Sequence, residues 1–253
     1  MLKPLIMLIS LCWITLTQAD SALIASASNF QFAMRDLTTA FESQYPHQIS
    51  QTYAASGVLY NQVKQGAPYH AILSANEIYP ELLAQQGLGL NPTRFTYALG
   101  QLVLASTKKL PANDPEQLTH YLTELVSAGG RIAIANTDTA PYGIAAQQTL
   151  ASLKLWPLPK QQIIRGNNVG QTFQFVMTGN TDVGFVALSQ RLQDKNSTLS
   201  YELIPQHWYQ PIQQQAILLQ SGQNNPAAIA FLAFLKTDQA KTIIQRHGYT
   251  IPD

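Results

Sequence analysis

The 253 residues are 46% apolar and only 11% charged, with 15 basic against 14 acidic side chains and a formal charge of +1. A chain of this length can bury the cores of two ordinary domains. Charges so few and so evenly balanced exclude an extended polyanion or nucleic-acid surface, which needs clustered lysine and arginine.

The N-terminus places Lys3 before an apolar run from Leu5 to Leu16, and Thr17-Gln18-Ala19 follows. A basic start, a short apolar core and small residues at a cleavable spacing predict a secretory signal peptide over 1–19, with the exported product beginning at Asp20. The run is too short to span a bilayer comfortably. Cleavage also removes Lys3 and the single cysteine, Cys12, leaving 14 basic and 14 acidic residues and no thiol. That suits an oxidising compartment, and the expectation is a soluble periplasmic protein.

Leu23 and Ile24 predict a first strand, and Ser26, Ser28 and Asn29 a polar turn. Phe30, Ala33, Met34, Leu37, Ala40 and Phe41 then mark one helical face, with Ser28 or Asn29 as N-cap. The unpaired N–H groups of such a first turn, with the helix dipole, favour an anion. Ile49 to Tyr53 reads as a second strand, Ala54-Ala55-Ser56-Gly57 as its turn, and Val58, Leu59 and Val63 as the helix behind. Ala71 to Leu73 is a third strand, followed by a helix over 77–86 that closes on Gly87. Phe95 to Ser106 is a longer β-rich run of the kind that crosses between domains, and Asp114-Pro115 begins another helix.

Arg131 to Ala135 is a strand, Asn136 to Gly143 a long polar turn, and Ile144 to Leu155 a helix. Gln162 to Arg165, the turn Gly166 to Gly170 and a helix through Phe173, Val176 and Met177 repeat the arrangement a fourth time. Val183 to Leu188, Tyr201 to Ile204 and Ile212 to Leu219 are β runs, and helices over 225–236 and 238–247 end the chain. This alternation predicts an α/β protein of two lobes, each a mostly parallel sheet flanked by helices, joined by crossing strands. Residues 20–98 with 208–253 form the first lobe and 99–207 the second. Ligand belongs at the carboxyl ends of the strands.

The four turns offer serine, threonine, asparagine, tyrosine and backbone amides. Arg165 is the only cation at their edges, and it reads as a surface or hinge ion pair. Asp138 is the only acid, and it is expected to face away or to cap its own turn. Neutral donors can hold a fully ionised anion, whereas a carboxylate would repel it or demand a protonated one. The five histidines show no metal spacing. No G-x-S-x-G occurs, Gly166 to Gly170 is no dinucleotide fingerprint, and no paired carboxylates stand out, so an enzyme is not expected. An amino-acid carrier would need an acidic mate for Arg165.

Ala25-Ser26-Ala27-Ser28-Asn29-Phe30, Ala55-Ser56-Gly57, Gly66-Ala67-Pro68 with Leu73-Ser74-Ala75, Ala140-Pro141-Tyr142-Gly143, and Thr178-Gly179-Asn180 with Gly184-Phe185-Val186-Ala187 together resemble the periplasmic molybdate-binding proteins of ABC transporters. The resemblance implies a two-lobed periplasmic binding fold that closes on molybdate or tungstate without metal ligation by side chains and without a cofactor. It places the oxyanion contacts on Ser28, Asn29, Ser56 and Tyr142, and on Val169 through its amide. It also implies a membrane permease as partner, a monomeric binding protein and no nucleic acid. Sulfate or phosphate carriers and sensory binding subunits remain the alternatives. His70, Asn76 and Phe185-Val186 depart from the family's usual residues.

Overall fold

The computed structural model describes residues 20–111, 114–193 and 199–252. The expected export segment 1–19, Cys12 included, lies outside the described residues. The chain begins with β1 (Asp20–Ala27), α1 (Gln31–Glu42), β2 (His47–Ala54), α2 (Ser56–Lys64), β3 (Ala71–Ser74), α3 (Ile78–Gln85) and β4 (Phe95–Gly100). The middle holds β5 (Leu102–Ser106), α4 (Pro115–Ser127), β6 (Ile132–Ala135), α5 (Pro141–Ser152) and β7 (Ile163–Gly166). It continues with α6 (Val169–Met177), β8 (Val183–Ala187), α7 (Leu188–Gln193) and β9 (Ser200–Leu203). Last come β10 (Ile212–Leu218), α8 (Pro226–Phe234) and α9 (Asp238–Arg246). Among the described residues, no helix is long and apolar enough to cross a membrane.

The strands form two five-stranded sheets, ordered β2-β1-β3-β10-β4 and β7-β6-β8-β5-β9. β1 is parallel to β2 and β3, and β6 to β7 and β8. β10 runs antiparallel to both of its neighbours, and β5 does the same in the second sheet. Each sheet is therefore mostly parallel in direction, with one strand reversed. Those reversed strands adjoin the passages between lobes, and α/β sheets commonly take up such strands where the βα alternation breaks.

Central strands are buried on both faces. Along β1, Ala22 and Ile24 pack with Phe30, Leu37, Phe41 and Phe231, while Ala25 packs with Leu59, Val63, Ile72 and Ile217. The second lobe has its own core around Leu104, Ile134, Leu150 and Phe185. The continuous apolar reading of these short strands follows from this two-sided cover.

Several expected boundaries move. β1 runs on through Ser26 and Ala27, because both stay in register with Tyr53 and Ala54 of β2. The run from Phe95 to Ser106 is broken at Gln101, and its halves belong to different sheets. α5 starts at Pro141 rather than Ile144, since proline at the first helical position loses no hydrogen bond. α7, directly after β8, was not foreseen. It carries no Gly or Pro break from the strand before it, so sequence pattern alone merges the two.

Candidate functional site

The four helix openings meet between the lobes, at the carboxyl ends of β1, β2, β6 and β7. Ser28, Asn29, Ser56, Tyr142 and Val169 all line one space of about 180 Å³, separated by small residues such as Ala27, Ala55 and Ala140. Walled largely by alanines, it leaves room for a small ion rather than a drug-sized molecule. No charged side chain lines it.

At the first opening β1 leads into a short 3-10 turn, Ser28–Phe30, and α1 starts only at Gln31. Neither Ser28 nor Asn29 caps that helix through its side chain, contrary to expectation. Ser28 Oγ instead reaches across to the second lobe, where the Gly170 N–H donates to it at 3.4 Å. The Asn29 amide nitrogen is occupied, donating to Gln214 Oε1 at 2.9 Å and to the Tyr249 hydroxyl at 3.0 Å. That leaves its backbone N–H, one of the donors that a helix start leaves without an intrahelical partner, as the group it can offer a ligand.

Ser56 is the first residue of α2 and is wholly buried. It does not cap its own helix, and its Oγ accepts from the Ala75 N–H at 2.9 Å, tying α2 to the end of β3. Tyr142 stands in the first turn of α5, not in the loop before it, with its ring buried. Gln214 Nε2 donates towards its hydroxyl at 3.5 Å. Asn168 caps α6 by accepting from the Gln171 N–H at 3.0 Å, which leaves Val169 first in the helix and lining the space.

One rule covers the three hydroxyls. Each accepts from an N–H group, which can only donate, so its own proton is left to point elsewhere. The hydroxyls of Ser28, Ser56 and Tyr142, the first-turn backbone at Asn29 and Val169, and the positive ends of the converging helices are thus the groups available to a ligand in the space. Burial, first, and the neighbouring phenols of Tyr249, Tyr209 and Tyr97 hold the Tyr142 pKa well above that of a free phenol. It stays a neutral donor at any physiological pH.

The remaining residues singled out in the sequence lie elsewhere. Arg165 is exposed on β7, and Asp138 is exposed in a turn held by Asn136 Oδ1, which accepts from the Asp138 N–H at 2.9 Å. His70 Nδ1 accepts from the Leu23 N–H at 2.9 Å, at the other end of the first sheet from the space. Asn76 Oδ1 accepts from Ser74 Oγ at 2.9 Å, and Phe185 is buried in the second core. None of these three departures from the family pattern touches the space. Among the described residues, no group of three or more histidine, cysteine or acidic side chains is placed to hold a metal ion.

A buried polar junction beneath the site escaped sequence reasoning. Tyr249 OH donates to the Asn29 carbonyl at 2.8 Å, Ser189 Oγ donates to the same carbonyl at 2.9 Å, and Tyr97 OH donates to Gln214 Oε1 at 3.0 Å. The signal was available. In Ile212-Gln213-Gln214-Gln215-Ala216, strand alternation puts Gln214 on the apolar face with Ile212 and Ala216.

A family model of bacterial extracellular solute-binding proteins matches residues 22–250. The molybdate-binding protein ModA of Azotobacter vinelandii is 38% identical over 233 residues, spanning 92% of this chain and 90% of that one. Its counterpart from Rhodobacter capsulatus is 34% identical over 231 residues, spanning 91% and 88%. Among solved structures, the Azotobacter vinelandii periplasmic molybdate-binding protein superposes with a TM-score of 0.82 at 35% identity, over 92% of this chain and all of that one.

Proposed function

The chain belongs to the bacterial extracellular solute-binding protein family, and from that membership we propose that it is a periplasmic carrier of molybdate or tungstate. It captures the anion between its lobes and delivers it to the membrane permease of an ABC transporter. The observation that carries this reading is the donor-only character of the space. Three hydroxyls whose oxygens already accept N–H bonds, and helix starts on both sides, surround it with no formal charge. Such a site matches an anion that keeps no proton of its own, because no carboxylate lines it to take one up. The names of the two curated relatives agree with it. Ser28, Asn29, Ser56, Tyr142 and Val169 are the residues we assign to the anion, with no cofactor and no catalytic step.

Calorimetry on one purified sample with molybdate, tungstate, sulfate and phosphate tests the assignment. A ring of donors sized for the larger ions lets sulfate weaken two charge-assisted bonds of roughly 1.5 kcal/mol each, which corresponds to about a hundredfold preference. Equal binding of sulfate and molybdate would overturn the choice of ligand. Export is tested separately by intact mass, with Asp20 expected as the first residue.

A further inference from the structure

Two of the groups that orient the site's hydroxyls are backbone N–H groups of Gly170 and Ala75, and the third is a side chain. Gln214 is 0% exposed, at the point where the pairing of β10 with β4 shifts between Gln214 and Gln215. Its Oε1 accepts from Asn29 Nδ2 at 2.9 Å and from the Tyr97 hydroxyl at 3.0 Å, and its Nε2 faces the Tyr142 hydroxyl at 3.5 Å. Gly100 leaves the room for this meeting, since a Cβ there would stand 2.7 Å from Gln214 Nε2 and would run into the Tyr142 hydroxyl. Gln214 itself does not line the ligand space.

We propose that Gln214 is a positioning residue that sets the donor polarity of the anion site from beneath it. Its nitrogen can only donate, so the Tyr142 proton is turned away from it and left free for the ligand. Its oxygen can only accept, so it holds the Asn29 amide and with it the first helix start. Asn29 belongs to the first lobe and Tyr142 to the second, and one amide therefore sets the donors of both. The inference rests on the oxyanion reading above. The titratable groups that bond to Gln214 or its partners are the phenols of Tyr97 on β4, Tyr142 on α5 and Tyr249 after α9, none of them charged. Burial is the main cause that raises all three phenol pKa values.

Gln214→Glu separates positioning from mere packing. A protonated carboxyl donates through its O–H and accepts through its C=O, as the amide does. An ionised one only accepts, drawing the Tyr142 proton away from the ligand and adding a negative charge nearby. Burial raises a carboxyl pKa, to about 8–9 in documented extremes, so the variant switches within an accessible range. We expect the wild type to bind molybdate equally well at pH 6 and pH 9. The variant should match it within a few-fold at pH 6 and bind at least about tenfold more weakly at pH 9. Gln214→Met, which removes both bonds without adding charge, should weaken binding about tenfold, and clearly less than that in a Tyr142→Phe background, where only the hold on Asn29 remains to be lost. Melting temperatures of each variant serve as the folding control. A pH-independent affinity for Gln214→Glu, or additive losses for Gln214→Met with Tyr142→Phe, overturns the positioning role alone. A wild type that binds none of molybdate, tungstate and sulfate overturns the oxyanion reading and this inference with it.

Discussion

Ser56 is used in two directions at once. Its oxygen holds the buried Ala75 N–H, and in the proposed site its proton serves the anion. Ser56→Ala therefore loses twice. The orphaned N–H costs about 1–3 kcal/mol of stability, and the missing hydrogen bond to a charged ligand, worth roughly 1.5–3 kcal/mol, weakens molybdate binding about 10- to 100-fold. Melting temperature and calorimetry on the same mutant measure both, and an unchanged affinity would remove Ser56 from the site. At this scale the sequence revealed which residues gather but not how they are held. The small polar turns and the resemblance pointed to Ser28, Asn29, Ser56, Tyr142 and Val169, and all five line one space. That Ser56 bonds to Ala75 rather than to its own helix, and that the Asn29 side chain turns down to Gln214 and Tyr249, depends on partners distant in the chain. Local pattern carries no record of such partners.

Among the elements, the first turn of α2 and the loop before α5 approach closely enough for a backbone bond, as the Gly57 N–H donates to the Thr139 carbonyl at 2.8 Å. A Cβ at Gly57 would sit 2.9 Å from Tyr79 Cζ and 3.0 Å from Thr139 Cα. Gly57→Ala should crowd Tyr79 beside it and Thr139 across the cleft, and weaken molybdate binding about tenfold or more, given overpacking of roughly 1–3 kcal/mol. Small-angle scattering with saturating ligand should show a larger radius of gyration than the wild type. An identical radius and affinity would mean that the contact is incidental. Element types were largely readable because caps and glycines punctuate the chain. Asp114 accepts from the N–H groups of Glu116 and Gln117, and Gly87 and Gly129 take positive φ after their helices. The break at Gln101 was not readable, because β4 and β5 are both apolar and only their sheet partners differ.

For the whole molecule, the buried phenols set an alkaline limit. Tyr97, Tyr142 and Tyr249 keep their protons in the folded state well above pH 10, chiefly through burial, whereas an unfolded chain releases them near pH 10. The stability they contribute is intact below pH 10 and falls as pH rises beyond it, with a slope of about 1.4 kcal/mol per pH unit for each phenol. Urea midpoints at pH 9, 10 and 11 should drop steeply over the last step, and a flat series would contradict the assignment.

The sheet order also sets a timetable for folding. β5 to β9 are consecutive in the chain and complete the second sheet by Leu203, but β4 joins the first sheet only through β10, which is made a hundred residues later. Closing that loop is slow compared with pairing β6 to β7 and β8, where Ile132 meets Ile163 and Val183. In refolding followed by pulsed hydrogen exchange, amides of β6 and β8 should gain protection before those of β4, and simultaneous protection would refute the order. A chain threaded through a membrane N-terminus first would then emerge with β3 and β4 open along the edges that only β10 fills, so those two edges of the first lobe are what must be kept from aggregating until the last strand arrives.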